Sequence, residues 1–199
     1  MMRSTLGIRV HSGWGALVAL AGDAVPEVID RRRVEIIDPR TPGAAQPFHF
    51  AERLEINKAQ AHVARCADVS KRMALEALRQ VAGQLNRQGY TIASVAILLS
   101  SGRPLPSFEK ILASHALIHA AEGEFFRQAF REAAEALKIP ATGIRERELA
   151  SKINTAFGKN APGLQKRVAG LGRVLGPPWT LDQKLAVLAA ALVRAQAAS

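Results

Sequence analysis

Apolar residues from Leu6 to Ala21 (LGIRVHSGWGALVALA) occupy both alternation phases on either side of Ser12-Gly13-Trp14-Gly15. This is the pattern of two strands buried on both faces and joined by a bend that glycine relieves. Gly22-Asp23-Ala24 supplies turn chemistry, and Val28 to Asp38 alternates as a third strand, with Val34, Ile36 and Asp38 opposed to Arg33, Glu35 and Ile37. Three sequential strands on short connections predict an antiparallel meander. Pro39, Pro42, Gly43 and Pro47 then break regular structure. Phe48 to Gln88 is rich in Ala, Leu, Glu, Arg and Gln, which predicts one long helix or two in succession, ending at Gly89.

Thr91 to Leu99 (TIASVAILL) is a β-branched apolar run of strand length, predicted as a buried central strand. Ser100-Ser101-Gly102-Arg103-Pro104 ends it, and the loop leaving the carboxyl end of a central strand is where ligands sit in open α/β sheets. Ser100, Ser101 and Arg103 are therefore candidates, although their composition is also that of an ordinary loop. His115 to Lys138 predicts a helix stopped by Pro140, with a stripe of Ile118, Phe125, Phe126, Ala129, Ala133 and Leu137. Glu122 falls inside that stripe. His115, His119 and Glu122 share one face, a spacing that suits a divalent metal or an acid with a burial-raised pKa, and equally a hydrogen-bonded pair of histidines beside a capping carboxylate.

Ala141 to Arg145 predicts a short edge strand, and Glu146 to Lys152 a helical turn. A loop is expected over Gly158 to Gly163, then a helix from Pro162 to about Val174, a break at Gly176-Pro177-Pro178, and a final helix. Thr180 is placed to cap that helix, whose predicted buried stripe is Leu181, Leu185, Leu188 and Leu192.

Length and charge narrow the partners. At 199 residues with 48% hydrophobic content, the chain can bury a core as one domain with a basic helical part from about residue 146. The formal charge is +10. From Lys138 to Arg173 eight cationic residues face two glutamates, so more than half of the surplus lies there. Such a field attracts phosphate backbones or anionic lipid, and it also keeps a protein soluble. Aromatic residues make up only 5%, which leaves few platforms for base stacking and favours backbone contact. The lone Cys66 cannot form an internal disulfide, which favours a reducing, cytoplasmic setting. Arg3, Arg9, the run Trp14 to Leu20 and Ala19-Leu20-Ala21 have the layout of a cleaved leader. That apolar centre is short, carries Gly15 and continues into strand-like sequence, which favours mature structure. No stretch reaches the roughly 18 apolar residues that span a bilayer, so no membrane association is expected.

The element order resembles the ribonuclease H-like fold: an α/β domain on a five-stranded mixed sheet, three antiparallel strands followed by two parallel ones, with flanking helices. Leu6 to Gly15 is similar to the opening of Holliday-junction resolvases of the RuvC type, which read Gly-Ile-Asp-Pro-Gly and then Gly-Trp-Gly. Lys152, Gly158, Lys159, Gln165 and Val168 resemble their Lys, Gly-x-Gly, Lys and Gln-Val series. The run from Asp182 (DQKLAVLA) resembles their Asp-Ala-x-Asp-Ala-Leu-Ala. The resemblance implies two divalent metals held by carboxylates on the first strand, near the fourth and on the last helix, because in-line phosphodiester hydrolysis needs cations at both attacking and leaving oxygens. Here Arg9 stands at the first position, Ser100 and Ser101 near the second, and Leu185 replaces the partner of Asp182.

Three readings follow. In the first, the chain is a nucleic-acid-binding protein on a degenerate scaffold, with Arg9, His11, Ser100, Ser101, Arg103, Lys152, Lys159, Lys166, Arg167 and Arg173 as anion-binding residues, no firmly implied cofactor, and a homodimer allowed. In the second it is a nuclease or other hydrolase with a rebuilt site, Glu122 and Asp182 as acid or base and His115, His119 and Glu122 around one divalent metal. In the third it is an assembly partner whose charge is merely solvating, whose protein contacts would survive nuclease treatment.

Overall fold

Alternation along the first strand decides how the sheet is dressed. In the computed structural model, which describes residues 1–22, 27–100 and 104–198, β1 (Met2–His11) pairs antiparallel with β2 (Trp14–Ala21), and β2 with β3 (Glu27–Glu35). The other edge of β1 takes β4 (Tyr90–Leu99) in parallel, and β4 takes β5 (Ala141–Arg145) in parallel. The order is β3-β2-β1-β4-β5, the mixed five-stranded arrangement expected.

Leu6, Ile8 and Val10 of β1 point to one face, where Leu17, Ala19, Val95 and Ile97 join them beneath α2 (Ile56–Arg87) and α4 (His115–Ala136). Phe126 and Phe130 of α4 are fully buried there, each worth about 1.5–3 kcal/mol of apolar burial. The opposite face carries α8 (Leu181–Ala198), against which Val18, Leu20, Ala96 and Leu98 pack. Gly7, on this face between Leu6 and Ile8, permits the contact. A Cβ there would stand 1.9 Å from the Ala186 carbonyl oxygen, closer than any two such atoms approach.

The tight turn between β1 and β2 uses Gly13 at φ 81°, and Gly15 leaves room for the Phe130 ring, 2.8 Å from where a Cβ would lie. Both glycines that suggested a relieved bend therefore have a steric reason.

Several boundaries differ from expectation. β3 stops at Glu35: Ile36 N donates to Gly13 O at 2.8 Å, and Asp38 accepts the Arg40 N–H at 3.0 Å in the following turn. The Phe48–Gln88 segment is two helices, α1 (Pro47–Ala51) and α2, parted near Glu55, which is extended. A short α3 (Phe108–Leu112), unforeseen in the sequence, precedes α4. α4 ends at Ala136; Lys138 takes φ 57°, and Ile139 N reaches back to Ala134 O at 2.9 Å, so the chain turns before Pro140. α5 (Glu146–Phe157) is longer than one turn; Gly158–Asn160 is a 3-10 turn rather than open loop, and α6 (Ala161–Gly170) and α7 (Gly172–Leu175) divide the helix expected to Val174.

Two buried stripes also need correction. On α4, Phe130 and Ala134 are buried while Phe125 and Leu137 are only partly so. On α8, Leu192 is buried as expected, but Leu181 is 61% exposed and Leu185 and Leu188 are only partly buried; most of the buried positions are small, Ala186, Ala189, Ala190 and Ala191, with Val187 and Val193 beside them. Where α8 lies on Gly7, the close approach admits only the small side chains of Ala186 and Ala190. Thr180 precedes α8 as expected, but Gln183 supplies the side-chain bond, accepting the Thr180 N–H at 2.8 Å as the third residue of a capping box does. Asp23 and Ala24 of the expected turn lie outside the described residues. Among those described, no helix is long and apolar enough to cross a membrane.

Candidate functional site

The carboxyl ends of the three parallel strands meet the start of α8, and an open cleft of about 700 Å³ lies there, lined by Arg9, His11, Leu98, Ser100, Arg127, Glu146 and Arg147. The strand period builds it. Gly7, Arg9 and His11 are two apart, so the side that lets α8 approach at Gly7 presents the next two side chains to the first turn of that helix. Arg9 Nη1 donates to Asp182 Oδ1, and His11 Nε2 lies 3.0 Å from the same oxygen.

Arg9 also forks onto Glu146, the first residue of α5, with Nε to Oε2 at 3.0 Å and Nη2 to Oε1 at 2.9 Å. All three nitrogens of its guanidinium are thus engaged by carboxylates. The Glu146 hydrogen bond raises the Arg9 pKa, partial burial opposes it, and Asp182 adds to the rise. Burial pulls the Asp182 pKa upward, but hydrogen bonds from Arg9 and His11 outweigh it and hold the carboxyl below its ordinary range.

Behind this pair, Arg127 of α4 donates Nε to the Leu98 carbonyl at 3.1 Å, and its Nη1 is buried without a partner among the described residues. Burial pushes its guanidinium pKa down. The cleft and its α8 rim therefore hold three guanidiniums, Arg9, Arg127 and Arg147, against two carboxylates, Glu146 and Asp182. Its edge is built from a stack: the His11 ring lies 4.3 Å from Trp14 at 13°, and the Arg33 guanidinium sits 3.7 Å over the Trp14 ring. Trp14 is thereby already occupied.

The carboxylate set that the resolvase resemblance implies does not fit these residues. A two-magnesium centre needs several hard oxygen ligands open to the ions, whereas here a guanidinium lies between the two carboxylates and donates hydrogen bonds to both.

Of the residues singled out in the sequence, Arg9, His11, Ser100 and Asp182 come together, and Ser101 and Arg103 lie outside the described residues. Lys152, Lys159, Lys166, Arg167 and Arg173 are exposed along α5 to α7, the layer stacked on α8 through Leu149, Ile153, Ala161 and Val168. Lys152 lies 3.7 Å from Glu148; among the described residues no carboxylate pairs with the other four.

Glu122 belongs elsewhere. It is 4% exposed and accepts, on Oε1, the N–H of Phe48 at 2.9 Å and of His49 at 3.1 Å, with His49 Nδ1 also at 3.1 Å. Burial pushes its carboxyl pKa up, against these hydrogen bonds. The expected trio is rearranged: His115 and His119 are joined by His49, and Glu122 stands behind that third ring.

Sequence reasoning missed Glu146, Arg127 and His49 as site residues. Glu146 carried a usable signal, an acid directly after a parallel strand, where α/β clefts open. Arg127 and His49 carried none.

No protein-family model matches the sequence, and no curated protein matches it. Among solved structures the chain is similar to Thermus thermophilus RuvC in complex with a Holliday junction substrate, at TM-score 0.54 and 15% identity over 98% of this chain and 95% of that one. A second Thermus thermophilus RuvC structure gives TM-score 0.53 and 14% identity over the same shares. The likeness shows the fold: this chain carries the ribonuclease H-like architecture of RuvC.

Proposed function

We propose that the chain is a nucleic-acid-binding protein that engages the phosphate backbone on a ribonuclease H-like scaffold and does not hydrolyse it by a two-metal route. The observation that carries this reading is the Arg9 fork, which ties Glu146 and Asp182 to a fixed cation at the head of the cleft. Carboxylates neutralised in this way repel a phosphate less and recruit magnesium less. Arg127 and Arg147 add positive charge in the cleft, and the exposed lysines and arginines of α5 to α7 extend it outward. With Trp14 engaged by His11 and Arg33, contact by charge and duplex shape is favoured over base stacking.

The solved RuvC of similar fold holds a Holliday junction substrate, which makes a four-way junction the first probe, beside plain duplex and single strand. Fluorescence anisotropy across a salt series is expected to show binding that weakens steeply, each neutralised phosphate adding about −0.9 to the slope of log K against log salt on duplex. Undetectable or salt-insensitive binding would overturn the reading, and so would magnesium-dependent cutting of the junction by clean protein.

A further inference from the structure

We propose that His49, His115 and His119 form a binding site for one divalent transition-metal ion of the zinc type, with Glu122 as the positioning residue. The site shares no residue with the cleft and is independent of the nucleic-acid reading. His49 comes from α1, and His115 and His119 from the first two turns of α4. One nitrogen from each ring lies within 4.8 Å of the others, and His115 Nε2 and His119 Nε2 are 3.0 Å apart. Two nitrogens sharing one tetrahedral zinc ion at ~2.0–2.1 Å stand ~3.3 Å from each other, close to that separation. A hydrogen bond between the two rings satisfies one donor and one acceptor and leaves His49 out. A cation takes all three lone pairs.

Glu122 is the second observation. Metal-bound histidines direct their remaining ring N–H to a carboxylate, which fixes the tautomer and strengthens the ligand. Glu122 Oε1 lies 3.1 Å from His49 Nδ1, so a proton on Nδ1 leaves the lone pair on Nε2. Its Oε2 is buried with no partner among the described residues. A carboxylate placed so deep is costly, and a dication one imidazole away supplies the opposing charge. Imidazole ligands select zinc and its neighbours over magnesium or calcium, and His115 and His119 are exposed, so solvent reaches the remaining coordination position.

The test is zinc competition against a chromophoric chelator, with thermal melts in parallel, on the full chain with no polyhistidine tag. One equivalent of zinc per chain and a rise in Tm are expected. Binding is lost in the His115→Ala/His119→Ala double variant, where both side chains are exposed and the fold is not at stake, and weakens about 10- to 100-fold in Glu122→Gln. It persists in Cys66→Ser, because Cys66 faces His62 on α2 instead. Absence of stoichiometric zinc, zinc that persists in the double variant, or zinc lost in Cys66→Ser would each overturn the site.

Discussion

Arg9 of β1 and Glu146 of α5, 137 residues apart, meet in a two-pronged ion pair with Nε to Oε2 at 3.0 Å and Nη2 to Oε1 at 2.9 Å. Asp182 completes the bridge from the start of α8. The guanidinium is mostly sheltered, with 21% of its side-chain surface exposed, while Glu146 is 41% exposed. Screening on the Glu146 side discounts the pair, so Arg9→Ala is expected to cost about 1–2 kcal/mol in urea denaturation. Arg9→Asp has a different outcome. It places a third carboxylate beside Glu146 and Asp182, and millimolar magnesium should then raise the Tm of the variant while leaving the parent unmoved.

Asp182 makes stability depend on acid. Its folded pKa lies below the ordinary 3.8, because hydrogen bonds from Arg9 and His11 outweigh the upward pull of burial. For a depressed carboxyl the contribution is complete above 3.8 and fades as pH falls through the folded value. The parent should therefore lose Tm more steeply below pH 3.8 than Asp182→Asn, whose curve lacks this component. Parallel curves for the two proteins would show that the ion pair contributes nothing.

Gly7 is held by backbone, which makes it the most demanding position in the sheet. Since the added Cβ would meet the Ala186 carbonyl at 1.9 Å, α8 must move off β1 for any side chain to fit. Gly7→Ala is expected to destabilise by about 3 kcal/mol or more, with loss of soluble protein on expression. Gly163→Ala, within α6, meets nothing within 4 Å and serves as the control, whose Tm should be no lower than the parent's because alanine is favoured over glycine in a helix.

Much of the sheet was legible because its signals are local. The period of β1 and β2, the turn at Gly13 and the run of β4 each lie within a dozen residues, and the edge strand Ala141–Arg145 was bounded by Pro140 and the helix-forming Glu146. The site was legible in half. Arg9, His11 and Asp182 stood out against the resolvase pattern, but the Arg9–Glu146 and His49–Glu122 pairs join residues 137 and 73 positions apart, and nothing in either segment names its partner. Leu181 misled for a related reason. A leucine stripe predicts the buried face of an isolated helix, yet the face chosen here is set by the glycine it must lie against.

The exposed cations of α5 to α7 give the sharpest separation between binding and mere solvation. Lys166 and Arg167 sit on α6 with no carboxylate paired to them among the described residues, so replacing both by Ala removes charge without breaking a contact that holds the fold. Stability should stay within about 0.5 kcal/mol of the parent. If these groups neutralise phosphates, junction affinity falls for every sequence alike and the salt slope drops by about one for each residue removed. An unchanged slope with unchanged affinity would assign that surplus charge to solubility. Lys152 provides an internal comparison: its ammonium lies 3.7 Å from Glu148, which already offsets part of its field, and Lys152→Ala should cost less affinity than either Lys166→Ala or Arg167→Ala.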